Sequence, residues 1–131
     1  YTEWCTERHY NPYRLLVLYA AYGHKPITQK QIADRTGLSK QTVATVMRGL
    51  KDEGYVSLSE GTDDKREKYI RLTEKGNTYA GEMLAPLYRL ENRVFNLMGE
   101  ERIRQMMDAV SLFNTVFGKE MQEARDENKQ K

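Results

Sequence analysis

The run of hydrogen-bond donors between residues 39 and 51 carries the most interpretable chemistry in the sequence. Its polar members at the front are Ser39, Lys40, Gln41, Thr42, Thr45 and Arg48. No acidic residue interrupts the run before Asp52. Such side chains donate to phosphate oxygens and to the edges of bases. The run therefore has the chemistry of a nucleic-acid contact, although an ordinary solvated helix face would also be polar.

Two helices are predicted to position these donors. Thr28 can cap the first helix, and Gly37 suits the left-handed conformation that ends helices. Ser39 can cap the second. The apolar residues of this second helix recur at 3.6-residue spacing and are Val43, Val46, Met47 and Leu50. A short turn between two helices, with the second amphipathic, is the geometry that inserts a recognition helix into a major groove.

A β-hairpin is predicted next. Residues 55–60 and 67–72 alternate in polarity, so that Val56 and Leu58 pair with Ile70 and Leu72. The turn between them is polar and contains Asp63, Asp64, Lys65 and Arg66. Thr73 then caps a further helix. Two helices, a hairpin with a basic tip and a capped helix predict a winged helix-turn-helix.

The same residues resemble the signature of the MarR (multiple antibiotic resistance) regulators. The matching motif is Asp64-x-Arg66-x-x-x-Ile70-x-Leu72-Thr73-x-x-Gly76, supported upstream by Thr28-Gln29, Gly37-Leu38-Ser39, Thr42-Val43, Leu50 and Gly54-Tyr55. The resemblance extends in motif detail over residues 11–76. It implies a ligand-responsive transcription regulator that binds a pseudo-palindromic double-stranded DNA operator as a homodimer, and it favours a repressor.

By this resemblance, residues 11–76 form the DNA-binding lobe, and residues 1–10 and 77–131 form a helical dimerisation region. The expected DNA-binding residues are Ser39, Lys40, Gln41, Thr42, Thr45, Arg48, Asp64, Lys65 and Arg66. Arg66 would enter the minor groove with Asp64 orienting it, whereas the residues of the recognition helix would meet the major groove.

The fold class predicted is mainly α with a small β-hairpin wing and long C-terminal dimerisation helices. One long helix is expected over Glu74–Met98 and another over residues 100–127. The apolar stripes on both are wider than a small winged helix can cover, so a second copy of the chain is expected to bury them. An intramolecular helical hairpin is the alternative.

The start of the chain gives less information. Residues 1–10 show no clear periodicity. Asn11 followed by Pro12 is a helix start, since Asn caps well and proline suits the first helical position. The helix that follows should bury Leu15, Val17 and Leu18 and end at Gly23.

Composition limits the classes of function that the chain can have. The chain has 131 residues, 31% of them charged, and a net charge of only +2, so charge alone does not identify a nucleic-acid binder. No apolar run approaches the roughly 20 residues that span a bilayer, and no secretory signal is visible. A single cysteine is consistent with a reducing compartment. A cytoplasmic protein without membrane partners is expected.

Enzymatic and metal-binding functions find little support. There is no phosphate loop, no nucleophile beside a base and no paired-carboxylate signature. Cys5, His9 and His24 are too few for a closed zinc site, and Cys5 is expected to be a partly exposed thiol near a chain end. No catalytic residue, metal or cofactor is predicted. A winged helix used only for protein contacts remains the alternative, which the salt dependence of binding would separate from DNA binding.

Four tyrosines cluster on or just before the first complete helix, namely Tyr10, Tyr13, Tyr19 and Tyr22. The resembling family places a pocket for small, often phenolic, ligands between the DNA-binding lobe and the dimer helices. These rings are therefore candidates for the pocket of a small aromatic effector. Packing in the core or at an interface is the other interpretation.

Overall fold

A computed structural model of the chain describes residues 1–23, 25–60 and 68–131. The elements, in chain order, are α1 (Thr2–Glu7), α2 (Pro12–Ala21), β1 (Ile27–Thr28), α3 (Gln29–Thr36), α4 (Lys40–Asp52), β2 (Val56–Glu60), β3 (Lys68–Leu72), α5 (Glu74–Met98) and α6 (Glu100–Lys129). The predicted fold class is confirmed, with helices predominating and one small antiparallel sheet. The predicted turn residues Asp63, Asp64, Lys65 and Arg66 lie outside the described residues.

Two corrections concern short elements. Residues 2–7 form α1, where the sequence showed no periodicity, because a helix of 6 residues is too short to display one. The sheet has three strands in the order β1-β3-β2, whereas only the hairpin was predicted. Strand β1 has 2 residues and pairs Ile27 with Ile70, so it is too short to show alternation. The hairpin register is as predicted, with Val56 opposite Leu72 and Leu58 opposite Ile70.

Helix α2 begins where the Asn11-Pro12 pair predicted. The Asn11 side chain accepts hydrogen bonds from the backbone N–H groups of Tyr13 at 2.9 Å and Arg14 at 3.2 Å. The helix ends at Ala21, two residues before the predicted Gly23. Its buried residues are Leu15, Val17, Leu18 and Ala21.

The chain divides into two compact units. The first, Tyr1–Leu87, is called the N-terminal lobe, and the second, Tyr88–Lys131, is called the C-terminal segment. The lobe contains the described core, whose larger members are Leu15, Val17, Leu18, Ile27, Ile32, Val43, Met47, Leu50, Val56, Ile70, Leu72, Met83, Leu84 and Leu87. Every element from α1 to the first half of α5 contributes a buried side chain to this lobe.

The C-terminal segment has no comparable core. Helix α6 has no buried residue along its 30 positions. In the second half of α5, the predicted stripe residues Leu90, Val94 and Leu97 are exposed rather than buried. The alternative of an intramolecular hairpin that covers both stripes is therefore wrong, because these side chains stay exposed in the single chain. No described helix is long and apolar enough to cross a membrane.

Candidate nucleic-acid interface

The turn that leads into α4 is held by local hydrogen bonds. Thr28 caps α3 in a reciprocal arrangement, because its Oγ1 accepts from the Gln31 N–H at 3.1 Å while the Gln31 side chain accepts from the Thr28 N–H at 3.0 Å. At the other end, Gly37 adopts φ +74, which ends the helix at little cost only when the residue lacks a Cβ. The Leu38 N–H then donates to Thr36 Oγ1 at 3.2 Å. The direction in which α4 leaves the turn is thus fixed.

Ser39 caps α4 as the sequence predicted. Its Oγ accepts from the Thr42 backbone N–H at 3.1 Å and donates to Thr42 Oγ1 at 2.9 Å. Both hydroxyl groups are therefore engaged at the start of the helix before any ligand arrives. Their first role is local, because they satisfy N-terminal groups that the helix leaves unpaired.

The outward face of α4 presents four polar side chains to solvent. Lys40, Gln41, Thr45 and Arg48 are exposed and Thr42 is half-buried. The opposite face is buried through Val43, Met47 and Leu50. The predicted amphipathic helix is therefore present, with the predicted residues on its two sides.

Thr45 and Arg48 on this face are joined by a hydrogen bond. The Thr45 hydroxyl donates to the Gln41 carbonyl oxygen at 3.0 Å, and Arg48 Nη2 donates to Thr45 Oγ1 at 3.5 Å. Across the described ranges, no hydrogen bond or ion pair engages the Lys40 ammonium group or the Gln41 amide. Residues 39–51 include Lys40, Arg48 and Lys51 and no acidic residue. The face is positively charged and has donors free to bind an anion or a base edge.

The wing strands add two cations. Lys68 and Arg71 are both exposed on β3. Arg71 lies on the face opposite the buried Ile70 and Leu72, whereas Lys68 shares their face at the first position of the strand. Sequence reasoning did not select either residue, although the alternation of β3 was a signal for the exposure of Arg71. The candidate wing residues Asp64, Lys65 and Arg66 lie outside the described residues.

A second network, which the sequence did not reveal, holds the C-terminal end of α4. Arg14 of α2 forms an ion pair with Glu53, with 2.7 Å between Nη2 and Oε2, and its Nη1 donates to the Tyr79 hydroxyl at 3.4 Å. Burial alone would lower the pKa of the Arg14 guanidinium, but the bonds to Tyr79 and Glu53 together outweigh it and raise the pKa. Tyr79 also stacks on Tyr55 with ring centroids 4.1 Å apart. These contacts join residues 39 and 65 positions apart from Arg14, so no local pattern could have indicated them.

The start of α5 is bonded to the same place. Thr73 Oγ1 donates to the Gly54 carbonyl at 2.7 Å, and Lys75 Nζ donates to the Glu53 carbonyl at 2.8 Å. A Cβ added at Gly76 would collide with the backbone carbonyl group of Tyr55, so only glycine allows this approach. The end of α4 and the start of α5 therefore form one closely bonded joint.

A cleft of about 550 Å³ lies on the N-terminal lobe between α2 and the end of α3. Its lining residues are Tyr1, Leu15, Leu16, Tyr19, Ala20, Tyr22, Arg35 and Thr36. Two of the four candidate effector-pocket tyrosines, Tyr19 and Tyr22, are among them. Tyr10 instead lies against Trp4, with ring centroids 5.9 Å apart, and Tyr13 is exposed outside the cleft. Arg35 was not selected from the sequence, because nothing local relates α3 to the tyrosines of α2.

The expectation for Cys5 was wrong. The thiol is fully buried rather than partly exposed, because α1 packs against α2 and encloses it. Burial raises the pKa of the Cys5 thiol, so the unreactive protonated form is favoured. Within the described ranges, no group of three or more His, Cys, Asp or Glu side chains could hold a metal ion.

Comparison with known proteins agrees with this geometry. A family profile described as the MarR family matches residues 11–67. YwhA of Bacillus subtilis, an uncharacterized HTH-type transcriptional regulator, is 30% identical over 96 residues, which cover 72% of this chain and 69% of YwhA.

Two solved structures extend the likeness beyond the profile. NMB1585, a MarR family regulator from Neisseria meningitidis, has a TM-score of 0.81 and 28% identity over 92% of this chain and 85% of its own. MepR of Staphylococcus aureus in its DNA-binding conformation has a TM-score of 0.75 over 88% of this chain and 85% of its own, and at 20% identity it supports the fold alone. These relatives are transcriptional regulators and not enzymes. The chain belongs to the MarR family of transcriptional regulators, and its winged helix is the DNA-binding element.

Proposed function

We propose that this chain is a cytoplasmic repressor that binds a pseudo-palindromic operator as a homodimer and releases it when a small aromatic effector binds. The observation that carries the proposal is the outward face of α4, which is preformed, positively charged and free of carboxylates from residue 39 to residue 51. Residues 11–76 would form the DNA-binding lobe, with residues 1–10 and 77–131 as the dimerisation region.

Base recognition is assigned to the exposed face of α4. Gln41 and Arg48 have the groups that make paired hydrogen bonds to adenine and guanine edges, respectively. Thr42 and Thr45 would contact bases or phosphates beside them. Ser39 and Lys40 sit at the N-terminal end, where the helix dipole and the ammonium group both favour a phosphate.

The wing is assigned to the minor groove. Arg66 would enter it, because a narrow minor groove concentrates negative potential that attracts a guanidinium group. Asp64 would orient Arg66, and Lys65 would contact the phosphate backbone. If Asp64 acts through Arg66, a double-mutant cycle on operator affinity at fixed salt should be non-additive. Full additivity would contradict the orienting role.

Dimerisation is assigned to the apolar side of α5 and α6. Exposed apolar residues follow one side of α6 and include Met106, Val110, Phe113, Phe117 and Met121. Phe113 and Phe117 stack with ring centroids 5.7 Å apart, which makes one continuous aromatic surface. A second copy offers an identical apolar side, so a two-fold interface would bury both.

Effector binding is assigned to the cleft of the N-terminal lobe. Tyr19 and Tyr22 supply aromatic walls, and Leu15 and Leu16 add apolar surface. Tyr10 and Tyr13 were candidates for the same pocket, but their position outside this cleft gives them no part in the proposal. CouR of Rhodococcus jostii, a structural neighbour at a TM-score of 0.68 and 21% identity, was solved with p-coumaroyl-CoA bound. An effector here should weaken operator binding by about 1–3 kcal/mol, the usual scale of coupling between sites.

The test begins with selection of duplexes from random DNA by the wild-type chain, followed by footprinting of the enriched sequence. Two protected half-sites about one helical turn apart are expected. Gln41→Ala and Arg48→Ala should each relax preference at particular base pairs by about 1–3 kcal/mol. Arg125→Ala removes an exposed cation from α6 and serves as the control. Failure to enrich any duplex, or unchanged base preference in both variants, would contradict the proposal.

A separate screen tests the effector. Aromatic carboxylic acids are added to the wild-type chain while melting temperature and operator affinity are recorded. A ligand that raises the melting temperature and lowers operator affinity is expected, with both responses weakened in Tyr19→Ala. If no compound in the screen changes either quantity, the effector part of the proposal loses its support.

A further inference from the structure

The Arg14 clamp consists of Arg14, Glu53, Tyr55, Lys75 and Tyr79. Its centre is the Arg14 guanidinium group, which starts from α2 and reaches both α4 and α5. It pairs with Glu53 just beyond the end of α4 and with the Tyr79 hydroxyl of α5. It also lies close against α4, because a Cβ added at Gly49 would be only 3.2 Å from Nη2. One side chain thus connects three helices of the lobe.

The rest of the clamp joins the end of α4 to the start of α5. Lys75 donates to the Glu53 backbone carbonyl and lies 5.0 Å from the centre of the Tyr55 ring. The Tyr55 and Tyr79 rings are stacked with an angle of only 5° between their planes. A change in the tilt of α4 would have to break the ion pair or separate these rings.

A small change in the tilt of α4 at the clamp would produce a larger displacement at the candidate DNA contacts. Lys40 and Glu53 are 13 positions apart, so the N-terminal end of α4 lies about 20 Å from the clamp at 1.5 Å per residue. Over that length, a tilt of about 10° displaces the N-terminal end by about 3 Å, which exceeds the tolerance of a hydrogen bond. Gln41 and Lys40 would then miss their partners although neither residue had changed.

We propose that Arg14 is a positioning residue for DNA binding, which holds α4 at the tilt that base recognition requires. This inference rests on the proposed insertion of α4 into the major groove. Arg14 needs no contact with DNA in this role, because its guanidinium group acts through its bonds to Glu53 and Tyr79 within the lobe. Nor is its main effect on overall stability, because a partly exposed ion pair contributes little to folding.

The test compares Arg14→Gln, Glu53→Gln and the double variant on the duplex selected by the wild-type chain. Each single variant should lower operator affinity about three- to tenfold, because a smaller fraction of molecules holds α4 at the competent tilt. The double variant should be no weaker than the weaker single variant, because both changes break one interaction. Arg104→Gln makes the same substitution in an exposed ion pair with Glu100 within α6, at 3.1 Å, and should leave affinity unchanged.

Salt dependence separates positioning from direct contact. Arg14→Gln should leave the slope of log affinity against log salt unchanged, because no phosphate contact is lost. Lys40→Gln, which removes a proposed phosphate contact, should lower that slope by about one. A reduced slope in Arg14→Gln would overturn the inference, and so would additive effects of Arg14→Gln and Glu53→Gln. A lower melting temperature with unchanged affinity at 25 °C would assign Arg14 a structural role only and would also overturn it.

A measurement without DNA keeps this inference separate from the proposed function. Spin labels are attached at Lys51→Cys in α4 and Glu82→Cys in α5, both exposed positions, in a Cys5→Ala background. Arg14→Gln should shift or broaden the distribution of distances between the labels, and Arg104→Gln should not. An unchanged distribution overturns the inference even if the wild-type chain binds its operator. If the wild-type chain selects no duplex, the proposed function fails and the label distances alone decide whether Arg14 positions α4.

Discussion

The N-terminal lobe and the C-terminal segment use the same apolar residue types in opposite ways. In the lobe, Leu84 of α5 is fully buried, as are Leu18 of α2 and Leu50 of α4. In the segment, Leu97 of the same helix α5 is 85% exposed and Phe113 of α6 is 64% exposed. Helices in water depend mainly on packing of an apolar side for stability. The lobe meets that need within one chain, whereas the segment leaves its apolar side chains exposed in the single chain.

The hydrogen bonds of polar groups also differ between the lobe and the segment. In the lobe, caps and hydrogen bonds between elements join distant parts of the chain, as Thr73 does with Gly54 and Arg14 with Glu53. In α6, the bonds are local, such as Arg104 to Glu100 and Gln122 to Asp126. Stability of the lobe should therefore be independent of protein concentration, and stability of the segment should rise with it.

The largest effect is expected from a charge on the apolar side of α6. Phe113→Asp should abolish the dimer, raising its dissociation constant at least about a thousandfold, because burying an unpaired charge costs several kcal/mol. Light scattering should then give the single-chain mass of 15.3 kDa. Thr115→Asp, on the opposite side of the helix, should remain dimeric. A Phe113→Asp variant with twice the chain mass would remove α6 from the interface.

The next effect compares two leucines of one helix. Leu84→Ala should lower the free energy of unfolding by about 2–5 kcal/mol, because it leaves a cavity in the core. Leu97→Ala should change it by less than about 0.5 kcal/mol, as expected for an exposed position. Both are measured by urea denaturation in a Phe113→Asp background, so that a second copy does not cover Leu97. Equal losses would contradict the division between lobe and segment.

Residue patterns predicted those parts of the fold that depend on neighbours in the sequence. The caps at Asn11, Thr28 and Ser39 were recognisable because a cap needs one side chain beside its own helix. The hairpin register and the bounds Glu74–Met98 also followed from periodicity. By contrast, α1 and β1 are too short to show a period. The burial of Cys5 depends on the packing of α1 on α2. A local sequence pattern does not indicate such packing.

The same limit applies to the candidate site. The outward face of α4 could be predicted, because the spacing of Val43, Met47 and Leu50 determines which residues lie opposite them. The Arg14 clamp could not, because Arg14, Glu53 and Tyr79 meet only after folding. For the same reason, Tyr19 and Tyr22 of the tyrosine cluster line the cleft and Tyr10 does not, although sequence position alone does not separate them.

A smaller effect is expected at the cap of α4. Ser39→Ala should lower the free energy of unfolding by about 1 kcal/mol, because the Thr42 N–H loses its acceptor. Thr115→Ala, which removes a hydroxyl bonded only to the preceding turn of α6, is the matched control and should have almost no effect. Thermal denaturation compares the two variants. If Thr115→Ala lowered the free energy of unfolding as much as Ser39→Ala, the cap of α4 would contribute no more than an ordinary hydroxyl group.

The smallest effect is expected at Cys5 of α1. It tests whether the lobe keeps this thiol out of contact with water. Because burial raises its pKa, the thiol contributes stability that is present below its unfolded pKa and lost as pH rises through its folded pKa. Wild type should therefore lose more of its free energy of unfolding than Cys5→Ala as pH rises above about 8.5, the ordinary pKa of a thiol. Urea denaturation across this range measures the difference. Parallel pH profiles would indicate that the thiol is solvated in the folded chain.

The most direct test of the relation between the two regions is native mass spectrometry of the chain with its selected duplex. Two chains should bind one duplex, and Phe113→Asp should reduce binding to single chains with much lower affinity. That result would show that the lobe reads DNA on its own surface while the segment supplies the second copy. One wild-type chain per duplex, or a monomeric Phe113→Asp variant that binds as tightly as wild type, would contradict it.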